Sequence, residues 1–519
     1  MPTITDTAAW TRLTAHRDEL STITIADLFA AGPGRGERLS WEVSGLWLDL
    51  SRQRINPETI QLFAALTDAA QLAQRRDDMF SGKSVNSTEG RPALHTALRD
   101  LSGLTPDLFR SVARNHRESM LAFAEDVRIG KARGSTGRVF QDVVNIGIGG
   151  SQIGPMAVTT ALMGSDEPQR IHYVANIDAA DWITTRDHLD PETTLFLVAS
   201  KTFFTQETMA NARAAKKWLV DTLGEEAITK QFAALSSNTL AAKAFGINPK
   251  RIFSFPDWVG GRFSLWSAIG LSIAIAIGRK EFSAFLEGAH EMDKHFAAAP
   301  FERNLPVLLG LTDIWNRNLL NLPARAVLPY SERLKGLNPY IQQLEMESNG
   351  KGVTATGDPV KGRSASIVFG MTGTNGQHTF HQLLHQGPAV AAIEFIGVAK
   401  ARHDYVGNHH MLLANMLGQA EAFALGTGAD VSIHHACPGN RPNTLIVLKS
   451  LDAHTLGMLM ALYEHKVFVE GTVFNINSFD QYGVEFGKAL AVPLIEAFSS
   501  GDGTSPISAA ALAKLRAWS

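Results

Sequence analysis

The sequence predicts an α/β protein of two lobes, each built on a mainly parallel sheet, behind a helical lead-in. Three observations carry that prediction. A β-rich run at 142–146 passes through a glycine turn into a helix start; β-rich runs IHYVANID and TTLFLVAS follow at helical separations; and the alternation resumes past residue 320 in SASIVFG, AAIEFIGVA and NTLIVLKS. Strands that alternate with helices form parallel sheets with helices on their faces. The expected division is a helical segment at 1–110, a first α/β lobe at 111–285 and a second lobe with C-terminal helices at 286–519. No clear repeat relates the lobes.

Composition narrows the function before any motif is read. A chain of 519 residues with 45% hydrophobic content buries a sizeable core. A formal charge of -3, with both signs interspersed, offers no electrostatic footprint for nucleic acid or an anionic membrane, so the expected partner is small. The single cysteine, Cys437, has no internal partner, and MPTITDTAAWTRL lacks the apolar core of a secretory signal. A cytoplasmic location is the expectation. The nearly apolar run Ser267–Gly278 is twelve residues, short of the ~20 that span a bilayer, and reads as a buried core helix.

In chain order, Ile60, Phe63, Ala64 and Leu66 form one apolar stripe after Pro57, and the first hundred residues read as helical. Gly82-Lys83-Ser84 looks superficially like a nucleotide loop, but Asp77 stands where its first glycine belongs. Arg91 precedes a helix expected near Pro92, either beside the ligand or as a solvated surface arginine.

QDVVNIGIGGSQIGP is the stretch around which the first lobe is organised. Gly147, Gly149 and Gly150 bring bare peptide to a ligand, and Ser151 adds a hydroxyl where a helix begins, an arrangement suited to phosphate. An ordinary tight turn explains the same residues equally well. A dinucleotide fingerprint needs a small residue where Gln152 stands. The second turn, Ser200-Lys201-Thr202-Phe203-Phe204-Thr205, sets three hydroxyls and a lysine before a helix starting near Gln206. Capping needs only one of those hydroxyls, and ligands of parallel sheets bind beyond the strands' carboxyl ends, so both turns describe one phosphate pocket. Gly260 and Gly261 then free the backbone before Arg262, either as a hinge or to aim a permanent charge at developing negative charge.

In the second lobe, LNPYIQQLEMESNGKG reads as a helix from Asn338-Pro339 to Asn349-Gly350, with Glu345 and Glu347 on different faces. Glu347 falls in the last turn, where the helix dipole disfavours a carboxylate charge, as a general base requires; a solvated glutamate is the simpler local reading. His378, His381 and His385 share a stripe opposite Phe380, Leu383 and Leu384, with no carboxylate or cysteine to complete a metal site. His385 sits just before the helix stop at Gly387. His409-His410 and His434-His435 read as structural or surface residues. Gln481, Glu485 and Lys488 share one face of a C-terminal helix, by itself a solvated salt-bridge face.

Taken together, VVNIGIGGSQIGP, VASKTFFTQET, DWVGGRFS, QQLEMESNGK, GTNGQHTFHQLLHQG and FDQYGVEFGK, with VNSTEGRPALHTALR, resemble in order the motifs of the glucose-6-phosphate isomerase family. The resemblance covers nearly the whole chain. It implies two sugar-isomerase (SIS-type) lobes, a homodimer whose active sites lie at the subunit interface, and conversion of glucose 6-phosphate to fructose 6-phosphate with no metal and no organic cofactor. By the same resemblance, Gly150, Ser151, Ser200, Lys201, Thr202 and Thr205 form the phosphate site, and Gln343 and Gln481 position the sugar. Glu347 becomes the base between C2 and C1, Arg262 the group that stabilises the enediolate, and His385 with Lys488 the ring-opening pair, His385 reaching in from the neighbouring subunit. Phe204, Pro388 and Tyr482 depart from the usual pattern and bear on pocket shape. A sugar-phosphate sensor on this fold would need the two turns but not Glu347, His385 and Lys488 together. A nicotinamide-dependent dehydrogenase is disfavoured by Gln152.

Overall fold

The computed structural model describes residues 3–428, 430–500 and 505–518. It comprises two compact units, Met1–Ser478 and Phe479–Ser519. The larger unit carries two sheets. The first holds β3 (Asp142–Ile146), β4 (Arg170–Val174), β5 (Thr194–Ala199), β6 (Phe232–Leu235) and β7 (Ile252–Phe253), all parallel, in the order β4-β3-β5-β6-β7. β3 and β5 are buried along their whole length, and for that reason their sequences run nearly unbroken in Val, Leu, Ile and Phe instead of alternating. One face packs Val144, Ile146, Phe196 and Val198 against Met209, Ala212, Ala215 and Leu219 of the helix Gln206–Leu223. The chain leaves β3 toward β4 and returns past it to β5, so the topological switch falls between β3 and β5, where sheets of this kind open a ligand crevice.

The second sheet runs β1-β2-β11-β10-β8-β9, from β1 (Ser40–Val43), β2 (Leu46–Asp49), β8 (Ala324–Pro329), β9 (Ile367–Gly370), β10 (Ala392–Lys400) and β11 (Asn443–Ser450). β11, β10, β8 and β9 are parallel, as expected; β1 and β2 add an antiparallel edge, with Leu48 opposite Ile446. The first 110 residues are therefore not wholly helical. Ser44 and Gly45, at φ 47° and 87°, close a hairpin that buries Leu46 and Leu48 on the second sheet. Nor does a helix start at Pro92: the chain makes only a short 3-10 turn at His95–Leu98 before the helix Asp107–Arg128.

The central helix, Ala453–Val473, is buried almost throughout and packs on the helices Leu271–Ala298 and Leu305–Ile314. The apolar run expected as a core helix is one, although it begins at Leu271 after a 3-10 turn and kinks at Gly278, whose φ is 79°. Burying charges is costly unless they are paired, and the central helix pairs its own. Glu464 accepts from Arg99 at 2.5 Å, His465 meets Asp293 at 2.7 Å, and Lys466 donates to Asp313, Glu345 and Glu470 at 3.0, 2.9 and 2.6 Å. Burial pushes the Glu470 carboxyl up to about 8, against the pull of Lys466 and Arg317.

The smaller unit contains the helices Tyr482–Ser500 and Pro506–Trp518. Among the described residues no helix is long and apolar enough to cross a membrane.

Candidate active site

The crevice is built from two turns at the carboxyl ends of β3 and β5. Gly149, at φ 61°, opens a 3-10 turn, Gly149–Ser151, which the Asn145 amide pins by donating to the Ser151 carbonyl at 3.0 Å. The turns lie edge to edge: a Cβ on Gly147 would stand 2.9 Å from the Ala199 carbonyl oxygen. In the second turn the Ser200 hydroxyl accepts from the Phe203 amide at 3.1 Å and lies 3.0 Å from Thr205 Oγ1. Phe203 takes a left-handed φ of 60°, unfavourable for a bulky residue, and its buried ring packs edge-on against Phe245. Core packing thereby holds the loop in an otherwise strained shape.

Thr205 is the N-cap residue of the helix Gln206–Leu223, yet its hydroxyl accepts no bond from the first-turn amides. Simple capping thus fails to account for this hydroxyl, which turns to Ser200 instead. A helix end whose amides are not capped is a ready site for an oxyanion. Thr202 is exposed, with Oγ1 accepting from the Phe204 amide at 3.3 Å. The Lys201 ammonium donates to the carbonyls of Asp257 and Val259, both at 3.0 Å, strapping the loop that leads to Arg262 onto the β5 turn. Burial, with Arg91 adding, lowers the affinity of Lys201 for its proton. Arg91 itself pairs with Glu89 at 2.5 Å.

Arg262 lies on the 3-10 turn Gly261–Phe263 and is buried. That turn crosses the glycine turn so closely that a Cβ on Gly150 would fall 2.1 Å from the Gly261 carbonyl oxygen. Only a glycine permits this approach. The expected helix Asn338–Gly350 is α-helical from Leu337 to Gln342 and widens to a π-helical turn at Gln343–Glu347, a distortion frequent at functional sites. Gln343 Nε2 lies 3.1 Å from where a Cβ on Gly149 would stand, so the amide overhangs the glycine turn. Glu345 points inward to Arg325 and Lys466, whereas Glu347 keeps 21% of its side chain exposed. Glu347 Oε1 lies 3.9 Å from Arg262 Nη1. That separation is too long for a hydrogen bond but close enough for strong electrostatic attraction.

The structure thus sets the turns that carry Gly150, Ser151, Ser200, Lys201 and Thr205 beside Arg262, Gln343 and Glu347, with Thr202 exposed on the second turn. His385 lies elsewhere in the chain. Its helix, His381–Gln386, is separate from Gly373–Gln377, so His378 falls in the break and the stripe of three becomes a pair. His381 and His385 each stand 2.9 Å from Gln419 Oε1, and the His385 ring stacks on Phe423 at 3.8 Å. Gln481 precedes the helix Tyr482–Ser500 of the smaller unit, and Lys488 lies exposed on it. Sequence reasoning missed Ser348, whose hydroxyl accepts from Arg262 Nε at 2.6 Å, and Gln419. Three buried carboxylates, Asp313, Glu345 and Glu470, are close enough to share a cation, but the Lys466 ammonium already occupies their centre.

Comparison with known proteins matches the chain to a family. A family model described as phosphoglucose isomerase matches residues 49–510. Glucose-6-phosphate isomerase 4 of Rhodococcus jostii is 44% identical over 529 residues, covering 97% of this chain and 94% of that protein. Glucose-6-phosphate isomerase of Frankia casuarinae is 46% identical over 526 residues, covering 96% and 94%. The crystal structure of a glucose-6-phosphate isomerase from Chlamydia trachomatis superposes with a TM-score of 0.88 at 31% identity over 99% of both chains. On the family match, the near full-length identity and the shared fold, the chain belongs to the phosphoglucose isomerase family.

Proposed function

We infer that the chain interconverts glucose 6-phosphate and fructose 6-phosphate, with Glu347 carrying the proton between C2 and C1. Family membership supplies the reaction, and the observation that carries the mechanism is the 3.9 Å separation of Glu347 Oε1 from Arg262 Nη1. A carboxylate beside a guanidinium, but not hydrogen-bonded to it at that nitrogen, keeps a lone pair for a C–H bond.

The steps balance as follows. Glu347 takes the C2 proton of the open-chain aldose, the C2–H electrons form the C1=C2 double bond, and the carbonyl electrons move onto O1. Arg262 stabilises the oxyanion. The proton returns from Glu347 to C1 while the C2 hydroxyl proton passes to O1, so that C2 becomes the ketone and O1 the alcohol. C2 is oxidised by what C1 gains, so no external redox partner enters. The hydroxyls of Ser151, Ser200, Thr202 and Thr205, the Gly150 amide and Lys201 hold the phosphate. Gln343 and Gln481 position the sugar chain. His385 and Lys488 open the ring by moving a proton to the ring oxygen.

The reading includes a homodimer in which His385 serves the partner's site. Two observations support it: His385 bonds to Gln419, and the helix Val406–Leu425 leaves the apolar side chains of Val406, Met411 and Leu417 more than half exposed. A cytoplasmic location fits a chain with one cysteine.

The test of the base is Glu347→Gln, which keeps volume and removes basicity. Isomerisation should fall by ~10²–10⁴ while binding of a phosphorylated sugar persists. In D₂O the unaltered enzyme should place deuterium at C2 of glucose 6-phosphate and the variant should not. Near-normal turnover or exchange in the variant would transfer the role to another residue.

A further inference from the structure

Three consecutive residues, Glu347, Ser348 and Asn349, converge on Arg262. Ser348 follows the base directly, is wholly buried, and accepts from Arg262 Nε at 2.6 Å. Arg262 Nη2 donates to the Ser478 carbonyl at 2.5 Å. The Ser478 hydroxyl in turn donates to Asn349 Oδ1 at 2.7 Å, and the Asn349 amide is tied to the Val467 carbonyl on the central helix at 2.9 Å. Space for this last junction depends on Gly471. A Cβ there would lie 2.0 Å from Ser478 Oγ and 2.9 Å from Asn349 Oδ1.

We propose that Ser348 and Asn349 are positioning residues that fix the Arg262 guanidinium relative to Glu347, Ser348 directly and Asn349 through Ser478. The inference rests on the roles given above to Glu347 and Arg262. An arginine side chain has many rotamers, and a charge that must meet a developing oxyanion loses its advantage if it reorients during the reaction. Here the base and the group that holds the arginine are covalent neighbours, Glu347 ending the π-helical turn and Ser348 capping it, so the chain itself sets their spacing. Nε and Nη2 are held in this way, and Nη1 faces Glu347 at 3.9 Å. None of these partners needs to touch the substrate, which separates their effect on rate from their effect on binding.

The test uses the intact enzyme and the variants Ser348→Ala, Arg262→Lys and the two combined. Removing a hydrogen bond to a charged group predicts a ~10- to 100-fold fall in kcat for Ser348→Ala, with KM changed by less than about threefold. Affinity for a phosphorylated sugar acid, anionic at C1, should fall by a similar factor, while that for a phosphorylated sugar alcohol, neutral at C1, should hold. In the Arg262→Lys background, Ser348→Ala should cause little further loss. Ser478→Ala, which spares the carbonyl but cuts the link to Asn349, should give a smaller fall in kcat with KM again steady, and it stands in if Ser348→Ala fails to fold. An undiminished loss in the Arg262→Lys background, or a raised KM with unchanged kcat, overturns the proposal. If Arg262→Lys alone leaves kcat near normal, it is the assigned role of Arg262 that fails.

Discussion

Gly150→Ala puts the geometry of the crevice to a direct test. The new methyl carbon would sit 2.1 Å from the Gly261 carbonyl oxygen, 2.4 Å from its carbon and 2.8 Å from the Arg262 amide nitrogen. Comfortable carbon–oxygen contact is at least ~3.2 Å, so one strand of backbone must retreat by about 1 Å. All three obstructing atoms are backbone, and no side-chain rotation relieves them. Gly150 does not have a positive φ, so the effect isolates the contact from conformational strain. Two consequences can be separated. Overpacking of this kind costs about 1–3 kcal/mol of stability, read as a lowered midpoint of thermal unfolding. A shift of ~1 Å between the phosphate turn and the turn bearing Arg262 should also cost on the order of 10²-fold in kcat/KM, because the phosphate anchor and the guanidinium no longer fit one substrate. A coupled assay of fructose 6-phosphate formation at a temperature where the variant is folded measures the second. Activity within about threefold of normal in a folded Gly150→Ala would show that the close crossing of the two turns does not register the substrate, and the reasoning would fail.

Other outcomes follow from the same geometry. Ser200→Ala removes a hydroxyl that accepts from the Phe203 amide and faces Thr205, so KM, or the affinity of a phosphorylated sugar acid, should worsen by about tenfold to a hundredfold; unchanged affinity would remove Ser200 from the phosphate site. If His385 serves the partner's site, mixing inactive His385→Ala and Glu347→Gln subunits should restore activity at hybrid sites, and no recovery despite demonstrated exchange would refute sharing. Glu470, held protonated in the fold up to about 8, favours folding fully below its ordinary range near 4.5, and that contribution is lost as pH rises from there through about 8. Glu470→Gln should therefore flatten the pH dependence of the unfolding midpoint across that window and raise the midpoint at its alkaline end; a parallel curve would show that Glu470 is ionised in the fold.

The parts of the molecule that were legible in its sequence are those whose cause is local. β3 and β5 announce themselves as fully buried strands because β-branched and aromatic runs are bounded by Gly147 on one side and by the hydroxyl-rich turn at Ser200 on the other. The hairpin Ser40–Asp49 did not, because each strand has only four residues and its Ser44-Gly45 turn lacks the usual Asn-Gly signal. The positions of charges were the least legible. Nothing along the chain marks Glu464, His465, Lys466 and Glu470 as buried, because their partners Arg99, Asp293, Asp313 and Glu345 all lie more than a hundred residues earlier. Lys201 reads as a phosphate ligand, yet two of its three donors go to carbonyls near residue 258, a use that no side-chain pattern records.

The same distinction explains why Glu347 is legible along the chain and the contacts around it are not. Glu347 lies near a helix end, three residues before Gly350, features visible along the chain. What makes it available while Glu345 is locked away is the long-range pull of Arg325 and Lys466 on Glu345, together with a π-helical turn that shifts the register between the two carboxylates. Arg325 comes from a strand of the second sheet, Lys466 from the central helix, and Arg262 from the loop after the first sheet. The turn 343–347 is therefore positioned by both halves of the larger unit, and the spacing between Glu347 and Arg262 is set by how those halves pack. On this account, a core substitution that moves the central helix should alter kcat before it alters binding of the sugar phosphate, because the turns Gly149–Ser151 and 200–205, to which phosphate binding is assigned, are rooted at the ends of strands of the first sheet.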